Sequence, residues 1–149
     1  MHIWLTLVLV FALDRLSKII VQHNLNLAES LEVIPGFFHL TYILNPGAAF
    51  GILAGKTWFF VLTALFVLGA IIYFQDKIPK KSRIMHICMG MIAGGALGNL
   101  YDRLFIGKVV DFLDFKIWSY IFNIADSMIV IGGFLLVILI YKYEKSAEQ

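Results

Sequence analysis

Four stretches of this 149-residue chain, about 2–21, 57–74, 84–105 and 123–141, stay apolar for long enough to cross a lipid bilayer. A spanning helix needs about 20 mostly apolar residues, because a rise of 1.5 Å per residue must cover roughly 30 Å of hydrocarbon. The second and fourth stretches are nearly free of charge. The first carries Asp14, Arg15 and Lys18, and the third carries Asn99, Asp102 and Arg103. Composition points the same way, with 60% hydrophobic and 15% charged residues and a mean hydropathy of +0.86. A soluble domain of this size could not bury that much apolar surface, and disordered chains are polar and poor in aromatics. The chain therefore reads as an all-α integral membrane protein with four transmembrane helices, forming one domain over residues 1–149.

In the first stretch the charges come late and no small-residue cleavage site follows, which predicts a retained helix and not a cleaved signal peptide. Lys77, Lys80, Lys81 and Arg83 lie between the second and third stretches, and Lys142 and Lys145 in the tail, against Lys56, Lys108 and Lys116 on the other side. The positive-inside bias then places both termini and the 75–83 loop in the cytoplasm, with 22–56 and 106–122 outside. Pro35-Gly36 followed by Phe37–Ile43 reads as a turn and a strand, and Asn45-Pro46-Gly47 as a second turn. A small extracytoplasmic β-sheet is expected between helices one and two, a loop at 106–122, and a frayed tail at 144–149.

Several function classes fall away. A formal net charge of +2, with scattered Lys and Arg, is no nucleic-acid footprint. A single cysteine, Cys88, makes no intramolecular disulfide. His2, His23, His39 and His86 lie far apart without an HExxH pattern, which argues against a zinc protease, and no cofactor or metal is expected. Ser119 and Ser127 have no histidine close in sequence, and no G-x-S-x-G appears.

The polar residues inside the apolar stretches are the informative ones, since each costs roughly 2.5–3.5 kcal/mol to insert and so usually faces a partner, water or a substrate. Asp14 and Lys18 lie near the outward end of helix one; Asn99, Asp102 and Arg103 near that of helix three; Asn123 and Asp126 open helix four from the same side. Gly90, Gly94 and Gly98 recur every four residues and give helix three a smooth face, with Asp102 continuing the row and Gly95, Asn99 and Arg103 forming the next one. Asp14 and Lys18 have the favourable i, i+4 order for an ion pair. Arg103 is read either as snorkelling to the interface or as orienting a carboxylate or carbonyl. Asp111 stands in an apolar run with no nearby base, and Asp126 at a helix mouth. Two carboxylates in a partly dry pocket can share one proton, one acting as base on a water while the other polarises a scissile carbonyl. Asp126 could equally serve the helix dipole, and spacing does not separate Asp114 from Asp111.

Asn45-Pro46-Gly47-Ala48-Ala49-Phe50, the run Gly94-Gly95-Ala96-Leu97-Gly98-Asn99-Leu100-Tyr101-Asp102-Arg103, Val109-Val110-Asp111-Phe112 and Phe122-Asn123-Ile124-Ala125-Asp126-Ser127, in this order along four helices, together resemble the lipoprotein signal peptidase family, also called signal peptidase II. The resemblance implies an aspartyl endopeptidase of the bacterial cytoplasmic membrane that cuts prolipoproteins just before a diacylglyceryl-modified cysteine. By motif it implies Asp111 and Asp126 as the catalytic pair, Asn45, Gly95, Asn99, Arg103, Asn123 and Ala125 as substrate-binding, and Asp14 and Lys18 as the supporting polar pair. It further implies a monomer among membrane lipids and inhibition by globomycin-type cyclic peptides. The scissile bond would lie near the outer leaflet, with the acyl chains in a groove beside the Gly-rich helix. A small transporter using Asp126 or Asp102 as a proton relay would instead need polar residues through the whole membrane depth. A structural subunit would use them to bind partner helices.

Overall fold

The computed structural model describes residues 2–47, 53–79 and 81–147; Ala48-Ala49-Phe50 of the first motif and Lys80 lie outside them. In chain order the elements are α1 (His2–Asn24), β1 (Ser30–Ile34), β2 (Phe38–Asn45), α2 (Thr57–Phe74), α3 (Arg83–Phe105), β3 (Val109–Phe115) and α4 (Ile124–Ala147). α4 continues well beyond 141 and takes in part of the tail expected to fray, because Lys142, Lys145 and Ser146 suit an exposed helical end. α2, α3 and α4 are long and apolar enough to cross a membrane. α1 is as long as α3, but Asp14, Arg15 and Lys18 interrupt its apolar run.

α3 is the hub of the bundle, packed against each of the other three helices. Its small residues make this possible. A Cβ at Gly90 would lie 2.6 Å from the Ile3 carbonyl oxygen, and one at Gly94 2.7 Å from that of Leu7. The next member of the row, Gly98, abuts the Asp14 carboxylate. This row is therefore the seat of α1. Gly95, one residue round, faces α4, where a Cβ would lie 2.5 Å from the Ala125 carbonyl oxygen. The groove expected beside the Gly-rich helix is thus filled by neighbouring backbone and is not open to acyl chains.

At one end of the bundle Ile3, Ile71, Met89 and Ala93 form a buried apolar cluster. The polar residues of the apolar stretches gather at the opposite end, where α1 and α3 finish and α4 begins. Large apolar side chains such as Leu9, Phe66, Phe134 and Val137 point outward and stay exposed, as a hydrocarbon surround requires and water does not.

Three antiparallel strands in the order β1-β2-β3 sit at the polar end. The expected sheet lies only between the first two helices, yet the third strand of the observed one comes from 106–122. Asp111 and Asp114 interrupt the apolar run Val109–Phe115 and hide its strand character, but β2 supplies the partner ladder that makes it one. Pairing slips by a residue between Leu40 and Ile43, so that Leu40 opposes Leu113 whereas Ile43 opposes Asp111. A bulge of this kind re-aims side chains near a site, and here it leaves Asn45 opposite Val109.

Candidate active site

α4 opens on a reciprocal cap. The Asn123 Oδ1 accepts the Asp126 N–H at 2.9 Å, and Asp126 Oδ2 accepts the Asn123 N–H at 3.3 Å. Two of the helix's orphan donors are met this way, in the manner of a capping box. Asp126 therefore does serve the helix terminus, and it does so with one oxygen. Its other oxygen, Oδ1, accepts the Asn99 Nδ2 at 2.7 Å.

Asp111 reaches the same place from β3. Its Oδ1 accepts the Asn123 Nδ2 at 2.6 Å and its Oδ2 accepts the Asn45 Nδ2 at 2.9 Å. Asn123 thus touches both acids and holds them in register with each other. Burial, and then the neighbouring Asp126 carboxylate, push the Asp111 carboxyl up to about 7 from an ordinary 3.8, against the opposing pull of Asn45, Asn123 and Lys18. A carboxyl in that position holds or releases a proton near neutrality, as acid–base chemistry needs.

Asp114, which sequence spacing leaves level with Asp111, is placed quite differently. It accepts the Thr41 hydroxyl at 2.6 Å and pairs with Lys116. Burial pushes its carboxyl up, but Lys116 and Thr41 outweigh that and hold it below 3.8. It is a fixed anion on the sheet.

Asp111 and Asp126 share a cavity of about 520 Å³. Asn45, Arg103, Tyr120 and Ser127 add polar groups to its wall, and most of the rest is apolar, with Phe60 from α2, Trp118, and Val130 and Ile131 from α4. The Arg103 guanidinium lies 4.6 Å over the Phe60 ring and donates to the Gly47 carbonyl at 3.2 Å. It is turned into the protein and does not snorkel. Among the described residues no three of His, Cys, Asp and Glu come together to hold a metal ion.

The ten residues singled out from the sequence fall into four sets. Asp111, Asp126, Asn45 and Arg103 line the cavity. Asn99 and Asn123 stand behind it, buried, and hold the two acids by hydrogen bonds. Gly95 and Ala125 form the contact between α3 and α4, while Asp14 and Lys18 are buried deeper as an ion pair at 2.8 Å. Sequence reasoning misses the apolar lining from Phe60, Trp118, Val130 and Ile131; the aromatic run Trp118 to Phe122 between two acids is the available signal, since such side chains favour interfaces. It also names Arg15 only as a charge of the first stretch, whereas Arg15 pairs with Asp102. Among the described residues the buried polar side chains are Asp14, Lys18, Thr41, Asn99, Asp102, Asp111, Asp114 and Asn123, and none of them belongs to the cluster of Ile3, Ile71, Met89 and Ala93.

Comparison with known proteins bears on this geometry. A family model described as signal peptidase (SPase) II matches residues 6–142. A lipoprotein signal peptidase of Desulfitobacterium hafniense is 59% identical over 149 residues, covering 100% of this chain and 99% of that protein. Another from Listeria monocytogenes is 40% identical, covering 99% and 98%. A solved bacterial membrane enzyme, obtained by the in meso method, superposes with a TM-score of 0.88 at 38% identity, covering 97% of this chain and 90% of that one.

Proposed function

The chain belongs to the signal peptidase II family, and from that premise we propose that it is an aspartyl endopeptidase removing signal peptides from diacylglyceryl-modified prolipoproteins. The observation that carries this reading is the meeting of Asp111 and Asp126 on one wall of a mostly apolar cavity, bridged by Asn123. The pair holds one proton between its two carboxyls. The ionised member takes a proton from a water, and the water oxygen bonds to the carbonyl carbon of the peptide bond before the lipidated cysteine. The protonated member donates to the carbonyl oxygen, so that charge develops against a hydrogen bond already in place. Collapse of the tetrahedral intermediate breaks the C–N bond, and the proton taken from water passes to the leaving amine.

The apolar wall suits the diacylglyceryl chains, which enter from the bilayer between Phe60 on α2 and Val130 and Ile131 on α4. Arg103, already tied to the Gly47 carbonyl, orients the peptide beside the acids. We place the protein in the bacterial cytoplasmic membrane as a monomer with four crossings, both termini cytoplasmic and the cavity near the outer leaflet. Globomycin-type inhibitors would compete for the same cavity.

The test reconstitutes the pure protein and follows cleavage of a diacylglyceryl-modified precursor beside its unlipidated form, with Asp111→Asn and Asp126→Asn in parallel. Cleavage of the lipidated precursor alone, abolished in both folded variants, is expected. Cleavage that survives either substitution overturns the aspartate pair. A wild-type protein that cuts neither precursor would bring the transporter or structural role forward.

A further inference from the structure

Behind the cavity lies a second polar cluster that takes no part in lining it. Asp14, Lys18 and Asp102 are fully buried. Lys18 Nζ stands 2.8 Å from Asp14 Oδ2 and 2.8 Å from Asp102 Oδ2, while Arg15 closes on Asp102 Oδ1 with its guanidinium 4.3 Å over the Tyr101 ring. Two acids and two bases cancel, which is what a buried ionic cluster requires. Charge cancellation alone does not explain where the remaining lone pairs go. Asp102 Oδ2 accepts the Val110 N–H at 3.2 Å, and Asp14 Oδ1 accepts the Ala125 N–H at 3.0 Å. Val110 and Ala125 are the residues immediately before Asp111 and Asp126. Lys18 also donates to Asn99 Oδ1 at 3.1 Å, and Asn99 in turn donates to Asp126.

The Val110 contact matters because β3 is an edge strand of the sheet, and a buried edge N–H needs a partner from outside the sheet. Asp102, on α3, is that partner. The strand bearing one acid is thereby tied to the same ion cluster as the helix bearing the other. We propose that Asp102, held in one rotamer by Arg15, is the positioning group that sets Asp111 against Asp126. This rests on the aspartyl peptidase reading above. Removing Arg15 leaves two buried acids on one lysine, and Asp102 is then free to turn away from Val110. The Val110 anchor loosens, and misplacement of a reacting group by about 1 Å can cost about 100-fold in rate. Neither Arg15 nor Asp102 lines the cavity, so substrate binding is left alone.

The experiment compares wild type, Arg15→Gln, Arg15→Lys and Asp102→Asn for cleavage of the lipidated precursor, with thermal unfolding of each in detergent. The expected result is a kcat lowered by at least about tenfold in Arg15→Gln and Asp102→Asn with KM held within about twofold. Arg15→Lys, which keeps the charge, recovers more than half of the loss. An active wild type with unchanged kcat in both variants overturns the proposal alone, as do kcat and KM that worsen together. Loss of the unfolding transition in Arg15→Gln overturns it too, since the cluster would then serve only the fold. A wild type that leaves the precursor intact overturns the peptidase reading and this proposal with it.

Discussion

Asp111, Asp114 and Asp126 are chemically identical side chains given three different roles by their contacts. Asp114 is fixed as an anion by Thr41 and Lys116, Asp126 is shared between the helix cap and Asn99, and Asp111 accepts from the amides of Asn45 and Asn123 beside a second acid. Two pH effects follow from the rise of Asp111 from 3.8 to about 7. Above that value Asp111 has lost its proton and can no longer donate one to the carbonyl, so kcat/KM should fall about tenfold per pH unit, measured as initial cleavage rates between pH 6 and pH 9. Stability moves in the same direction. Between about pH 4 and about 7 the folded state holds a proton that the unfolded chain has released, so stability falls as pH rises through that window. Asp111→Asn, which mimics the protonated acid, should gain on wild type in detergent unfolding midpoint from pH 4 to pH 7, although inert. Asp114→Asn should keep kcat within about twofold of wild type, because it removes an anion outside the reacting pair. The expense of charge in a membrane makes these residues legible in the sequence. Asp111 and Asp114 cannot be told apart there, because Thr41, Asn45 and Asn123 lie on other elements and meet them only after the sheet has formed.

At the scale of elements, what is legible and what is not follows from how local the causes are. The helices are readable from length and apolarity, and the i, i+4 ion pair of Asp14 and Lys18 is where a single helix puts it. β3 is not, because its strand character depends on β2, some 70 residues earlier. The face of α3 reads as smooth, but a row of glycines does not say whether lipid or another helix lies against it. The close approach of α4 to Gly95 gives a sharp prediction. Gly95→Ala pushes its Cβ against the Ala125 carbonyl, a backbone atom that cannot swing aside. Overpacking of this kind costs about 1–3 kcal/mol, and α4 carries Asp126, so cleavage should fall by about 100-fold in a protein that still inserts. A Cβ placed at Gly133, on α4 itself, would meet nothing within 4 Å. Gly133→Ala should leave the unfolding midpoint and cleavage near wild type, with a stability change of at most about 0.5 kcal/mol. Equal effects from the two substitutions would mean that helix packing at Gly95 does not position Asp126.

For the molecule as a whole, the proposed four crossings require α1 to enter the bilayer with Asp14, Arg15 and Lys18 on it. Each charge alone would cost roughly 2.5–3.5 kcal/mol, which is why α1 fails a simple apolarity criterion while α2, α3 and α4 meet it. Inserted together with α3, however, those charges meet Asp102 and one another, and the cluster is neutral. Four crossings put residue 2 on the same side as the 75–83 loop; three crossings without α1 put it on the opposite side. Single cysteines at positions 2, 82 and 119, introduced after Cys88→Ala, separate these arrangements when whole cells are treated with a membrane-impermeant thiol reagent. The cysteine at 119 should react from outside, and those at 2 and 82 only after permeabilisation. Labelling of position 2 from outside would leave α1 on the membrane surface, and its acids and bases would then have to be reached by water. In that case the buried cluster that ties β3 and α4 together could not persist as described, and the spacing of Asp111 and Asp126 would need another cause.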